Sequence, residues 1–126
     1  MTNNKFTNQI KRSNNKNYDL EERTAIFGED IIEFCKTLPL SVITKPLINQ
    51  IIRSATSVGA NYMEANGADS KKDFKSKIGI CKKESKETMH WLRMLAKAVP
   101  DERDRSRSLW KEVHELSLIF GAINRK

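Results

Sequence analysis

Two sets of residues in this chain have types and spacings that could do chemistry. The first is Lys71, Lys75, Lys82 and Lys86, at steps of four, seven and four. On a helix those steps place all four ammonium groups near one outer side. Such a line can follow a phosphate backbone, and each phosphate it neutralises adds about 0.7–0.9 to the salt slope of binding. No aromatic residue interleaves these lysines, so base stacking has little support and phosphate contact without strong sequence readout fits better. The bland alternative is a solvated helix face. The second set is Arg53, Ser57, Asn61 and Glu64, at steps of four, four and three, which share a face beside the core. A buried or half-buried Arg53 needs a carboxylate, and Glu84 or Glu87 further along the chain can supply it. The favoured role is a structural polar network that fixes helix register, joined by Ser85 and Thr88. The alternative is a ligand pocket or a site between protomers.

Other chemistry finds little support. Glu87-Thr88-Met89-His90 has the Glu-x-x-His form of di-iron bundles, which need a second copy and two further Glu residues. The other histidine is His114, and position 111 is Lys, so half of that ligand set is missing. There is no Ser-His-Asp arrangement, P-loop or nucleotide-binding glycine pattern. The expectation is a protein with no catalytic residues, no cofactor and no metal. Cys35 and Cys81 form no C-x-x-C and sit in helical patterns, so they are expected to be small buried apolar residues in a reducing cytoplasm.

The elements that must position these residues are legible as apolar stripes. Residues 1–18 are rich in Asn and carry Lys5, Lys11, Arg12 and Lys16, which predicts a flexible basic arm rather than a secretory leader. Lys11 and Arg12 are the arm's candidate phosphate contacts, the alternative being a disordered leader with no role. A first helix is expected from Asp19, capped by its carboxylate with Glu22 completing a capping box. Leu20, Phe27, Ile31, Phe34 and Leu38 make its face, and Pro39 stops it. A second opens near Thr44 with Pro46 in its first turn. Leu47, Ile51, Ala55, Val58 and Tyr62 form its stripe, widened by Ile48 and Ile52, and Asn66-Gly67 ends it. A third is capped by Ser70 and follows Phe74, Ile78, Cys81, Ser85, Thr88, Leu92, Leu95 and Val99 to Pro100. A fourth is expected from Asp101, with Leu109, Val113, Leu116, Phe120 and Ile123 on its stripe and Trp110 and Ile119 beside it.

No period-2 segment is long enough for a strand. No apolar run approaches the roughly 18 residues of a membrane span. Short turns between four one-faced helices predict an all-α, antiparallel up-down-up-down four-helix bundle over residues 19–126, with the arm ahead of it.

Charge is uneven along this frame. The chain has 23 Lys and Arg against 16 Asp and Glu, a net charge of +7. The first helix is acidic, with Glu21, Glu22, Glu29, Asp30 and Glu33 against Arg23 and Lys36. The third is basic, with nine Lys and Arg against Asp73, Glu84 and Glu87. An anionic partner such as nucleic acid is the natural complement.

The segment Arg53-Ser54-Ala55-Thr56-Ser57-Val58-Gly59-Ala60-Asn61-Tyr62-Met63-Glu64-Ala65 resembles the second-helix signature of the four-helix-bundle proteins related to the 23S rRNA intervening-sequence protein. Lys72-Asp73-Phe74 and Ile78 to Leu92 look like that family's third helix, and Tyr18-Asp19-Leu20 to Pro39 like its first. The likeness spans about residues 18–124 and departs at Ala65-Asn66-Gly67, where the family usually has Glu-Gly directly. It implies an antiparallel bundle that assembles as a homo-oligomer, commonly a pentameric ring. Some relatives are encoded within rRNA genes, and a related group works with a reverse transcriptase and nucleic acid. No catalytic residue carries over.

The expected function is a non-catalytic oligomeric protein that binds structured RNA or RNA–DNA through Lys71, Lys75, Lys82, Lys86 and the arm. The alternative is a protein-interaction scaffold without nucleic-acid contact, docking a protein partner through an apolar patch around Trp91, Met94 or Trp110. The two differ in whether the basic residues gather on one face of the oligomer or are neutralised by the acidic first helix of a neighbouring copy.

Overall fold

In the computed structural model, which describes residues 19–126, the four apolar stripes become four helices. They are α1 (Leu20–Lys36), α2 (Thr44–Asn66), α3 (Lys71–Ala98) and α4 (Arg103–Arg125), with a 3-10 turn over Pro100–Glu102 leading into α4. No strand occurs among the described residues. The arm expected over residues 1–18, with Lys11 and Arg12, lies outside the described residues.

Consecutive helices pack on each other, and α4 closes the ring against α1. Side-chain pairs fix their directions. Asn66 at the end of α2 reaches Glu21 at the start of α1. Glu64 pairs with Lys77 while Arg53 pairs with Glu84, so α2 and α3 run opposite ways. Lys75 and Asn124 join the start of α3 to the end of α4. Arg105 meets Thr37, which sets α4 against α1. The result is the antiparallel up-down-up-down four-helix bundle.

Its core is where the stripes meet. Phe27 and Phe34 of α1, Ile51 of α2, Ile78 and Leu92 of α3, and Phe120 of α4 are all buried. Each such side chain contributes about 1.5–3 kcal/mol of burial. Stripe residues nearer the bundle ends, such as Tyr62, Phe74, Leu109 and Ile123, are half-buried. The two polar residues of the α3 seam are satisfied in place. Ser85 Oγ donates to Cys81 O at 2.8 Å, Thr88 Oγ1 donates to Glu84 O at 2.8 Å, and Ser54 and Thr88 share a hydroxyl bond of 2.8 Å across the α2–α3 contact.

Two local expectations need correction. The Asp19 side chain makes no cap, and the capping box with Glu22 does not form. Asp19 has φ −121° and ψ 36°, which is not the extended conformation that aims a cap side chain at the free amides. Ser70, at φ −143° and ψ 158°, has that conformation and accepts from Asp73 N at 3.0 Å. The second correction is at α4, which begins at Arg103 rather than Asp101. Pro100 opens a tight turn first, closed by Glu102 N donating to Val99 O at 2.9 Å.

Candidate nucleic-acid interface

Lys71, Lys75, Lys82 and Lys86 lie along one side of α3, opposite Lys77, which pairs with Glu64 of α2. Lys71, Lys82 and Lys86 are exposed, and Lys75 is half-buried with its Nζ 3.5 Å from Asn124 O of α4. Arg93 continues the same side of the helix. Beside this line runs α4, and α4 brings bases of its own. Lys82, Lys86, His114 and Arg125 line one cleft between the two helices, of about 300 Å³. Arg93, Arg103, Arg107, Lys111 and Trp110 line a second, of about 430 Å³, further along the same seam. Trp110 and His114 stack at 4.8 Å and 28°, so one aromatic pair joins the two clefts. No acidic residue lines either cleft.

Four of the six acids on these two helices are turned elsewhere, and two arginines hold them there. On the α2 side, Arg53 Nη1 lies 3.3 Å from Glu84 Oε1, and Nη2 pairs with Glu87. Trp91 Nε1 also donates to Glu87, at 3.1 Å. On the α1 side, Arg23 donates to both oxygens of Glu112 at 2.8 and 2.9 Å and lies 3.0 Å from Glu115. The Glu112 hydrogen bond raises the Arg23 pKa above its already high value, against the opposing effect of burial. Each clamp pulls two carboxylates of a basic helix towards its outer neighbour. What lines the two clefts of the α3–α4 seam is positive charge without a carboxylate.

Near Gly121 the bare Cα leaves room for two cations. A Cβ built there would lie 3.5 Å from both Lys82 Nζ and an Arg125 nitrogen. Two like charges gathered at one spot, with no carboxylate lining the cleft, suit an anion between them.

The second residue set divides. Arg53, Glu84 and Glu87 come together as one cross-helix pair system. Asn61 Nδ2 donates within its own helix to Ser57 O at 2.8 Å, and Glu64 pairs with Lys77 at 3.1 Å, more than one turn away. The Glu64 hydrogen bond raises the pKa of Lys77. Glu87 and His90 do not act together, since His90 is exposed and packs edge-on to Trp91. Among the described residues no group of three His, Cys, Asp or Glu side chains is placed to hold a metal.

The thiols of Cys35 and Cys81 are buried and free. Burial pushes Cys35 up to about 11 and Cys81 up to about 12, so both stay protonated near neutrality. The apolar patch expected around Trp91, Met94 and Trp110 is not an exposed one, because all three are half-buried. The exposed apolar side chains stand elsewhere, on Leu40, Val42 and Ile43 of the α1–α2 connection and on Ile32, Met63 and Leu118.

Residues 16–122 match the family described as "23S rRNA-intervening sequence protein". The chain belongs to that family. Among solved structures, a protein of unknown function from the S23 ribosomal protein family of Bacteroides thetaiotaomicron VPI-5482 is 28% identical, with a TM-score of 0.73. The likeness covers 84% of this chain and 98% of that one. No curated protein matches. This member of the 23S rRNA-intervening sequence protein family therefore shares both sequence signature and bundle with its relatives.

Several residues of the basic seam escaped the sequence analysis. Arg103, Arg107 and Lys111 recur at steps of four, and Trp110 and His114 do the same beside them. That periodicity was available. On α3 no aromatic interleaves the lysines, and the aromatic pair stands on α4, which packing brings alongside. No helix of the described residues is long and apolar enough to cross a membrane.

Proposed function

We propose that this protein is a non-catalytic, oligomeric bundle that binds structured RNA or an RNA–DNA hybrid through the α3–α4 seam. One observation carries the proposal. Arg23 and Arg53 draw four carboxylates to the outer flanks, while Lys82, Lys86, Arg93, Arg103, Arg107, Lys111 and Arg125 line the seam without an acid. Lys71 and Lys75 extend the seam, and Lys11 and Arg12 are proposed to add contacts from the N-terminal arm. The family description, with its rRNA intervening sequence, supports RNA as the partner.

Assembly into a homo-oligomer would repeat this seam and convert weak patches into avid binding. A groove between α1 and α2 supports such assembly, with small Ala25, Gly28, Gly59 and Ala60 between exposed Ile32 and Met63. The family resemblance favours five copies. The two free cysteines suit a reducing cytoplasm.

The test is fluorescence anisotropy with a structured rRNA fragment, duplex DNA and a single strand, each at low and near-physiological salt. Binding is expected to fall steeply with salt. Replacing Lys82 and Lys86 by Ala is expected to lower the log–log salt slope by about 1.4–1.8. Absence of binding even at low salt would sink the proposal. It would favour the scaffold reading, for which Leu40, Val42 and Ile43, exposed at 70%, 88% and 62%, offer a compact apolar patch.

A further inference from the structure

The larger seam cleft differs from a simple phosphate track. Its lining includes Leu92 and Ala96 of α3, apolar side chains, and the indole of Trp110. Ser106, also in the lining, donates its hydroxyl proton to Leu92 O at 2.6 Å. Around these stand Arg93, Arg103, Arg107 and Lys111, with no acid among the lining residues. The volume, about 430 Å³, falls in the range of small-molecule sites, about 300–1,000 Å³. Apolar surface, an aromatic ring and four cations together match a planar, uncharged ring that carries an anion.

We propose that this cleft seats an unpaired nucleotide of a single-stranded segment, its base stacked on Trp110 and its phosphates held by the surrounding arginines and Lys111. This rests on the nucleic-acid function proposed above and narrows it to strands with bases free to leave the stack. A base inside a duplex is already stacked and paired, so it reaches such a cleft only after extrusion. Loops, bulges and ends offer bases directly. The second cleft lies next along the seam, joined through the Trp110–His114 stack, and its Lys82, Lys86 and Arg125 take the neighbouring phosphates. Guanidinium planes can also stack on a base, which suits Arg93, Arg103 and Arg107 better than lysines would.

The experiment uses full-length Trp91→Phe protein, in which Trp110 is the sole indole, titrated by fluorescence and anisotropy. The probes are a short single strand, the same strand built from abasic units, the matching duplex, AMP and an acidic peptide. The single strand is expected to quench Trp110 and to bind more tightly than its abasic form. In the parent protein, Trp110→Leu keeps an apolar side chain and is expected to weaken single-strand binding roughly 5- to 150-fold. Duplex affinity should fall much less than single-strand affinity, and Trp110→Phe should retain most of the single-strand affinity. Should Trp110→Leu fail to fold, as judged by its circular dichroism melt, Arg107→Glu serves instead and is expected to cost the single strand more than the duplex.

If single-strand binding ignores Trp110→Leu but still falls on Lys82→Glu with Lys86→Glu, the cleft proposal is overturned and the nucleic-acid function stands. Equal binding of the abasic strand overturns it likewise. AMP binding as tight as the strand would make the cleft a free-nucleotide site, and quenching by the acidic peptide alone would make it a protein site. If none of the nucleic acids binds, the cleft proposal and the function it rests on fall together.

Discussion

Arg23 sits half-buried between α1 and α4, with its guanidinium fork matched to Glu112 and its edge against Glu115. The fork matters more than the charge. A bidentate pair fixes orientation as well as energy, and a lysine offers one point charge on a flexible stem. Arg23→Met is expected to cost about 1–2 kcal/mol, discounted from a fully buried pair because Glu112 and Glu115 can regain water. Arg23→Lys should recover less than half of that. Urea unfolding of the three proteins would check it, and a Lys variant as stable as the parent would show that the fork geometry is irrelevant. Arg53 and its acid partners were legible in the sequence from helical spacing. Arg23 was not, because Glu112 and Glu115 lie far along the chain and meet it only when α4 closes the ring against α1.

At the scale of the helix, apolar periodicity located all four α-helices and local cap chemistry did less well. Ser70 and Asp19 are both good capping residues by type, yet only Ser70 has the extended backbone that lets its side chain reach an amide. Ser70→Ala is therefore expected to lower stability by about 1 kcal/mol, while Asp19→Ala costs a small fraction of that. Thermal melts of the two variants compare them directly, and equal losses would contradict the assignment. The capping box at Asp19 does not form because residue type gives only capacity, and φ and ψ decide whether it is used. At α4 the apolar stripe gave the helix but not its first turn, where Pro100 opens a 3-10 turn before the α-helix begins. The basic stripe on α4 was legible by the same period as that on α3. Its importance was not, because it depends on which helix lies next to which.

For the whole molecule, the buried acids of weak strength set the alkaline limit of the fold. The unfolded thiols titrate near 9.0, whereas burial holds Cys35 at about 11 and Cys81 at about 12. Burial also raises the Tyr62 phenol. Above pH 9 the unfolded chain releases protons that the folded one keeps, so stability is full below that pH and falls as pH rises towards 11–12. The fall is at most about 1.4 kcal/mol per pH unit for each thiol. Urea midpoints at about pH 8 and about pH 10.5 should differ in that direction. A flat profile would count against it, as would an equal fall in a variant with Cys35→Ala and Cys81→Ala. On the same scale, the net charge of +7 was plain from composition, but its concentration on one seam was not.

By itself the sequence determined the number, type and approximate limits of the four helices, their antiparallel order and the faces they bury. These follow from 3.6-residue periodicity and short connections, which are local properties of the chain. Tertiary structure alone decided that Arg23 turns Glu112 and Glu115 to the flank, and that Trp110 and the basic residues of α4 lie beside the lysines of α3. Such features depend on how each helix is rotated against its neighbour, a choice made by the packing of the whole core rather than by any one segment.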